Sequence, residues 1–372
     1  EIGGLVDGAW RTDSSTSVMV PARGYVPYVI PTQTQGDWIR IKTDADVHSA
    51  TAYFHYTTAP RPAQPPMFQT LPTAEQNAQR SEGLLLASED RDLTLHFAAN
   101  VLDETGKIID SGRYVLRDDM SLHRADDPAA EKALKAQAAT TQGFQVDEAS
   151  VIVLDKGKRY RLPKGPDLFS RPTASGWRRA TREVVTERGL MNIHGTFYEL
   201  PRAGSGGLAK VRPICTHNRM IYDYASWRGM LVLSGNLVAT EAGDHYVRSN
   251  DGKVGVWVGN IDDLWKLGIP RGTGGPWKDT QVQADVPSDP YLMTGYNQKT
   301  VYLSHDQTGE VKFAIEVDFA ADGSWHLYDT ISVPAKQTIR HVFPAGFSAH
   351  WVRVKANKDC QATAKFVYNQ PQ

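Results

Sequence analysis

The sequence predicts an all-β protein, a β-propeller or propeller fragment over residues 1–284 followed by a C-terminal antiparallel β-sandwich over residues 288–372. Three observations predict it. Short segments rich in β-branched and aromatic residues recur between turn residues. Gly-containing turns start several of these segments. Near the C-terminus, one segment alternates apolar and polar residues as a half-buried strand does.

The first region has many strand-like segments and one strong helix signal. The strand-like segments lie at residues 38–41, 52–56, 93–97, 151–154 and 230–233. The exception is a short helical insertion near 127–138, where Asp127 precedes Pro128 and an Ala-rich run of good helix formers comes next. We expect this helix to lie exposed between strands.

Residues 285–290, which contain two prolines, are predicted to be a linker to a C-terminal module of strands. Within this module, residues 311–319 place Val, Phe, Ile, Val and Phe on one face. Asp322-Gly323 then predicts a hairpin turn. Further strands at 338–343, 349–354 and 364–368 complete a module compatible with a sandwich. Trp325 and Trp351 are interpreted as core residues rather than sugar-stacking ones.

Composition narrows the function classes. A formal net charge of −1 argues against nucleic acid as the main partner. The Arg-rich piece at 177–182 is interpreted as a solvated turn. No apolar run approaches the roughly 20 residues that a membrane helix needs. Cys215 and Cys360 are the only cysteines, and we expect free thiols rather than a disulfide bridge.

One stretch concentrates chemically useful side chains. Residues 192–201, 216–219 and 222–229 carry histidines, arginines, tyrosines, a tryptophan and carboxylates between strand-like segments. Such a mixture suits a pocket that stacks a sugar ring and moves a proton. The candidate catalytic residues are His194, His217, Arg219 and Tyr222; the candidate substrate-binding residues are Tyr198, Glu199, Asp223, Trp227 and Arg228.

Gly-containing strand starts recur at Gly106, Gly157, Gly195 and Gly255, with irregular spacings of roughly 40 to 60 residues. They fit propeller blades, or unrelated hairpins in a sandwich. Residues 256–267 resemble a blade motif of bacterial β-propeller polysaccharide lyases and glycosidases that act on rhamnose- and glucuronate-containing glycans. This resemblance, over about the first three quarters of the chain, implies a polysaccharide substrate, a secreted or periplasmic location, and a histidine working with neighbouring arginine and tyrosine residues.

Three functions remain open. In β-elimination at a uronate, His194 or His217 would be the base, Arg219 or Arg228 the cation that neutralises the carboxylate, and Tyr222 or Tyr198 the proton donor. This mechanism is favoured because histidine and arginine are more concentrated here than carboxylates. A glycoside hydrolase would instead use a carboxylate pair, of which Glu199 and Asp223 are the nearest. The third function is a non-catalytic propeller that binds glycan or protein.

Metal and cofactor motifs are missing from the sequence. It contains no HExxH motif, no paired CxxC, no Walker loop and no nucleotide fingerprint. We therefore expect no metal site and no cofactor. The sequence makes no prediction about the oligomeric state.

Overall fold

The computed structural model describes residues 1–22, 24–31, 33–48, 50–54, 66–88, 93–185, 188–238, 241 and 243–369. Strands make up 45 % of the structure and helices 9 %, so the all-β prediction is confirmed. No helix among the described residues is long and apolar enough to cross a membrane.

The strands up to residue 201 are, in chain order, β1 (Ile2–Val6), β2 (Ala9–Ser14), β3 (Trp38–Ile39), β4 (Arg80–Ala87), β5 (Leu95–Leu102), β6 (Ile108–Leu116), β7 (Leu122–Arg124), β8 (Gln145–Val146), β9 (Val151–Asp155), β10 (Lys158–Leu162), β11 (Thr181–Val185), β12 (Arg188–Ile193) and β13 (Thr196–Pro201). Four of the five strand-like segments of the first region coincide with strands, wholly or in part. Three of these strands are β3, β5 and β9, and the fourth, Met230–Leu233, comes later in the chain. In the remaining one, residues 52–54 form no strand, and residues 55 and 56 lie outside the described part.

The later strands are β14 (Arg212–Thr216), β15 (Tyr224–Trp227), β16 (Met230–Leu233), β17 (Asn236–Leu237), β18 (Tyr246–Arg248), β19 (Gly255–Gly259), β20 (Gly272–Val282), β21 (Tyr291–Leu292), β22 (Lys299–His305), β23 (Val311–Asp318), β24 (His326–Val333), β25 (Thr338–Val342), β26 (Trp351–Ala356) and β27 (Cys360–Tyr368). Short 3₁₀ turns lie at Pro66–Phe68, Asp167–Ser170, Ala203–Ser205, Gly207–Lys210 and Ile261–Lys266.

The predicted helix is confirmed as α1 (Pro128–Gln137). Asp127 caps it, because its carboxylate accepts hydrogen bonds from the backbone N–H groups of Ala129 and Ala130 at 3.0 Å each. Most of the helix faces solvent. Leu134 is its buried anchor and packs against Ala98 of β5.

Three antiparallel sheets make up most of the region between residues 80 and 259. Their strand orders are β17-β4-β5-β6-β7, β11-β12-β13-β14 and β15-β16-β19-β18. Consecutive strands are mostly neighbours, as in a meander. The described sheets do not close into a propeller. The all-β class is therefore confirmed, and the propeller is not.

The recurring glycines have a local explanation. Gly106, Gly157 and Gly195 have φ values of 83°, 79° and 73° and lie in tight turns between paired strands. A positive φ at such a turn matches the right-handed strand twist and favours glycine. Gly255 instead starts β19. The recurrence therefore reflects mainly hairpin chemistry.

The largest core lies between two sheets packed face to face. One has the order β24-β23-β26-β21-β10-β9-β8 and the other the order β20-β27-β22-β25. The alternation predicted for residues 311–319 is present in β23, since Val311, Phe313, Ile315 and Val317 are all 0 % exposed. All pairings in both sheets are antiparallel except β10 with β21.

This sandwich draws strands from both sides of the predicted boundary at 284–288. Strands β8, β9 and β10 and the long strand β20 all precede residue 284. The predicted linker is held by the sheet, because Asp285 N–H donates to the Ala356 carbonyl at 2.7 Å and Ser288 N–H to the Val354 carbonyl at 2.9 Å. The division into two domains stays a prediction.

Candidate functional site

His194 lies at the tip of the hairpin that joins β12 to β13. Ile193 pairs with Thr196, and the two turn residues have positive φ, 49° for His194 and 73° for Gly195. This is a two-residue primed turn, in which a non-glycine first residue is strained. Gly165 fixes the turn from the other side, because a Cβ there would lie 2.1 Å from the His194 carbonyl oxygen.

His194 is 3 % exposed, and its ring is flanked by aromatic rings. The ring centroids of Phe144 and Phe169 lie 5.4 Å and 6.4 Å from it. Its Nε2 atom is 3.5 Å from the hydroxyl of Ser170. Burial lowers the pKa of His194 to about 4, so the imidazole is neutral at pH 7.

A small pocket opens beside this ring, with a volume of about 20 Å³, which is room for about one water molecule. It is lined by Phe144, Phe169, Trp177, Arg178, Asn192, His194 and Gly195. The interpretation of residues 177–182 as a solvated turn is therefore wrong for Arg178, whose guanidinium packs 5.3 Å from the Phe169 ring centroid.

His217 is buried, and both of its ring nitrogens have protein partners. The backbone N–H of Arg219 donates to Nδ1 at 2.8 Å, and Nε2 lies 3.1 Å from the side-chain oxygen of Asn192. These contacts assign the proton to Nε2. Burial lowers the pKa of His217 to about 3. The geometry leaves this imidazole no lone pair directed at a substrate.

The other two candidate catalytic side chains hold backbone carbonyls of distant segments. Arg219 donates to the Leu71 carbonyl at 2.5 Å, and the Tyr222 hydroxyl donates to the Ser175 carbonyl at 2.6 Å. Tyr222 is 1 % exposed, and burial raises its pKa to about 12. In this arrangement both side chains tie other loops to the segment between β14 and β15.

Asp223 is 0 % exposed, and its carboxylate binds groups from three strands or their flanks. It accepts hydrogen bonds from Arg179 at 2.6 Å, from the Leu85 backbone N–H at 2.9 Å and from its neighbour Tyr224 N–H at 2.7 Å. Arg182 adds an ion pair at 3.4 Å. A carboxylate enclosed in this way holds the fold together and has no access to a substrate.

The four remaining candidates also have structural surroundings. Glu199 pairs with Arg212 at 2.7 Å. Tyr198 is 0 % exposed in the sandwich core, and Trp227 is buried, with its indole N–H donating to the Leu93 carbonyl at 2.6 Å. Arg228 is exposed at another hairpin tip. The structure does not gather the nine candidates around one cavity.

A much larger groove, about 460 Å³, lies along β24 of the sandwich. It is lined by Pro21, Gly24, Tyr25, Pro27, His326, Leu327, Tyr328 and Phe347. Strand β24 is the last strand of its sheet, and no other described strand pairs with its outer edge. The groove is therefore bounded by the sandwich on one side and by the N-terminal segment on the other.

Aromatic packing shapes this groove. The Tyr25 ring meets Phe319 edge-on with centroids 4.5 Å apart, and its hydroxyl lies 3.4 Å from the Leu327 carbonyl. The Tyr328 hydroxyl lies 3.1 Å from Nε2 of His341 on β25. Leu327 is 57 % exposed. In the sequence, the pattern that could have predicted this groove is the density of aromatic and histidine residues at 325–328 and 341–343.

The two tryptophans of the sandwich fit the core interpretation to different degrees. Trp351 is 2 % exposed, and its indole N–H donates to the Ala209 carbonyl at 2.7 Å. Trp325 is half-buried, with the Arg353 guanidinium 4.3 Å from its ring centroid.

The cysteines and the potential metal ligands suggest no further site. Cys215 and Cys360 are buried and are not joined by a disulfide. No group of three histidine, cysteine or acidic side chains among the described residues is arranged to hold a metal ion.

Comparisons with known proteins give weak likenesses. No protein-family model and no curated protein matches the chain. Among solved structures, PirA has a TM-score of 0.17 at 13 % identity, over 27 % of this chain and 84 % of that one. A glycoside hydrolase family 43 arabinoxylan arabinofuranohydrolase from Bacillus subtilis has a TM-score of 0.20 at 10 % identity, over 77 % of this chain and 66 % of that one. An exo-β-1,3-galactanase from Phanerochaete chrysosporium has a TM-score of 0.17 at 7 % identity, over 77 % and 68 %. Scores this low establish no shared fold.

Replacing Asp223 by asparagine is expected to lower the free energy of unfolding by about 3 kcal/mol or more, because Arg179 and Arg182 lose their buried counter-charge. Urea unfolding measures the change. Glu183→Gln is the matched control, since Glu183 is 58 % exposed in its pair with Arg202 and should matter by less than about 1 kcal/mol. Equal effects of the two substitutions would contradict the role given to Asp223.

The stability should fall in acid because His194 and His217 have folded-state pKa values of about 4 and about 3, below the ordinary 6.5. Between pH 6.5 and these folded-state pKa values, the unfolded chain binds more protons than the folded chain. The contribution of the two histidines to stability is therefore complete above pH 6.5 and is lost progressively as the pH falls towards the folded-state pKa values. His217→Gln removes one of these groups. The difference in unfolding free energy between wild type and variant should therefore shrink on acidification; a difference independent of pH would contradict this.

Proposed function

We propose that the chain recognises a polysaccharide or oligosaccharide and binds it without cleaving it. The observation that carries this proposal is the aromatic groove along β24, about 460 Å³ in volume. This size lies within the roughly 300–1,000 Å³ typical of small-molecule sites. A sugar residue or two would fit within it.

The chemistry of the groove suits a neutral sugar. Aromatic rings such as Tyr25, Tyr328 and Phe347 offer apolar surface to the C–H face of a pyranose, while the imidazole of His326 can bind one of its hydroxyl groups. Tyr328 packs on Phe347, and Tyr25 packs on Phe319 and His326, so little side-chain entropy is lost on binding.

The central cluster of polar residues argues against catalysis. His217, Tyr222 and Asp223 use their polar atoms within the protein. The carboxylate pair considered for a hydrolase consists of one enclosed acid, Asp223, and one acid held by Arg212. This part of the molecule therefore supplies rigidity.

A lyase is the second candidate, and one observation favours it. His194 is neutral at pH 7, as a general base must be, and it shares a pocket with the cation Arg178. Elimination at a uronate- or rhamnose-containing glycan would use these two residues.

The predicted propeller fragment and a secreted or periplasmic location belong to the same proposal of a glycan-directed protein.

Tyr25→Ala should weaken glycan binding at least about tenfold, since it removes an aromatic wall of the groove. Tyr28→Ala is the control, because Tyr28 is 48 % exposed and lies outside the groove lining. The measurement is titration calorimetry with oligosaccharides selected on a glycan array. Equal affinities of the two variants, or no glycan binding by the wild type, would refute the proposal.

The wild type should produce no unsaturated uronate when incubated with uronate-containing glycans. The double bond formed by elimination absorbs in the ultraviolet, and reducing-sugar release is followed in parallel. His194→Ala is included in the same assay. Absorbance that rises with the wild type and vanishes in this variant would establish the lyase instead.

A further inference from the structure

Arg178 is an arginine without an ion-pair partner among the described residues. One of its terminal nitrogens donates to the Arg171 carbonyl at 3.2 Å, and the other lies 3.8 Å from the Met220 sulfur, a weak acceptor. Its guanidinium packs over the Phe169 ring. A guanidinium has five N–H donors, so most of its hydrogen-bonding capacity is unused by the protein.

The acid whose charge acts on Arg178 is Glu82, but Glu82 is committed elsewhere. Thr173 donates to one of its carboxylate oxygens at 2.5 Å, and Arg80 lies 3.4 Å from the other. Burial lowers the pKa of Arg178, with Glu82 acting in the opposite direction and Arg80 in the same one. Placing an arginine in such surroundings is costly unless an anion compensates it.

A second donor lines the same pocket. The side-chain oxygen of Asn192 is engaged by His217, and this contact leaves the NH₂ group of Asn192 as the part available to a ligand. The walls are the rings of Phe144, Phe169 and Trp177, which shield the pocket from water and strengthen a charge-assisted hydrogen bond there.

We infer that this pocket binds the carboxylate group of a ligand, with Arg178 as the cation and Asn192 as the second donor. The pocket has a volume of only about 20 Å³, so one carboxylate oxygen enters it and the remainder of the ligand stays at its mouth, beside the half-buried Trp177. A planar carboxylate matches the fork of a guanidinium. This site does not depend on the groove along β24.

The carboxylate could come from a sugar acid or from a simple organic acid, and a titration with three probes separates these sources. D-glucuronate, acetate and D-glucose are titrated into the full chain by calorimetry at low salt. We expect glucuronate to bind more tightly than glucose. Acetate that competes with glucuronate assigns the affinity to the carboxylate and supports the inference, whereas glucuronate binding that acetate does not reduce contradicts it, because the affinity then comes from the sugar ring.

Arg178→Gln should weaken glucuronate binding about tenfold or more, the size expected for a charge-assisted pair. Arg228→Gln, at an exposed hairpin tip, is the matched control and should bind as the wild type does. The affinity of the groove for neutral oligosaccharides is a separate readout, so failure of the pocket can be told apart from failure of the groove.

Three further results would overturn the inference: equal affinities of wild type and Arg178→Gln, equal affinities of glucuronate and glucose, or a lack of glucuronate binding by the wild type. Circular dichroism checks that each variant folds. If Arg178→Gln does not fold, Arg178→Lys decides, since it keeps the charge and loses the fork; affinity several-fold below wild type supports the pocket, and unchanged affinity refutes it.

Discussion

The buried carboxylate of Asp223 is the interaction on which the middle of the molecule depends. It joins the flank of β15 to β4 through the Leu85 N–H and to the segment before β11 through Arg179. Three separate sheets thus meet at one charge that has no access to water. Such a group is tolerated only when all its neighbours stay in place, and therefore the charge selects one arrangement of the sheets.

The same requirement explains why polar residues crowd this part of the sequence. Loops packed between sheets leave backbone carbonyls that need donors, and here side chains supply them. Arg219 and Tyr222 do so for Leu71 and Ser175. A cluster of histidine, arginine and tyrosine can therefore be the internal hydrogen bonding of a junction rather than an active site. Side-chain burial, which a single sequence does not reveal, distinguishes the two.

Local patterns in the sequence predicted local structure well. The helix cap at Asp127 and the alternation in β23 both depend on near neighbours, and both are present. The propeller prediction failed to gain support because hairpin turns, with glycines such as Gly157 and Gly195, occur in any antiparallel sheet. The site prediction selected residues by type and proximity in sequence. The groove was missed because Tyr25 and Tyr328 lie about 300 residues apart and meet only in the fold.

The parallel contact between β10 and β21, Arg161 opposite Tyr291, bears on how the chain folds as it is made. The hairpin of β9 and β10 emerges from the ribosome about 130 residues before its partner strand, while its core-facing side chains Val151, Tyr160 and Leu162 await the rest of their sheet. During that interval an apolar hairpin face and an open strand edge are exposed together, the combination that chaperones bind and that promotes aggregation. The rate of translation through residues 163–290 therefore sets how long the nascent chain is vulnerable.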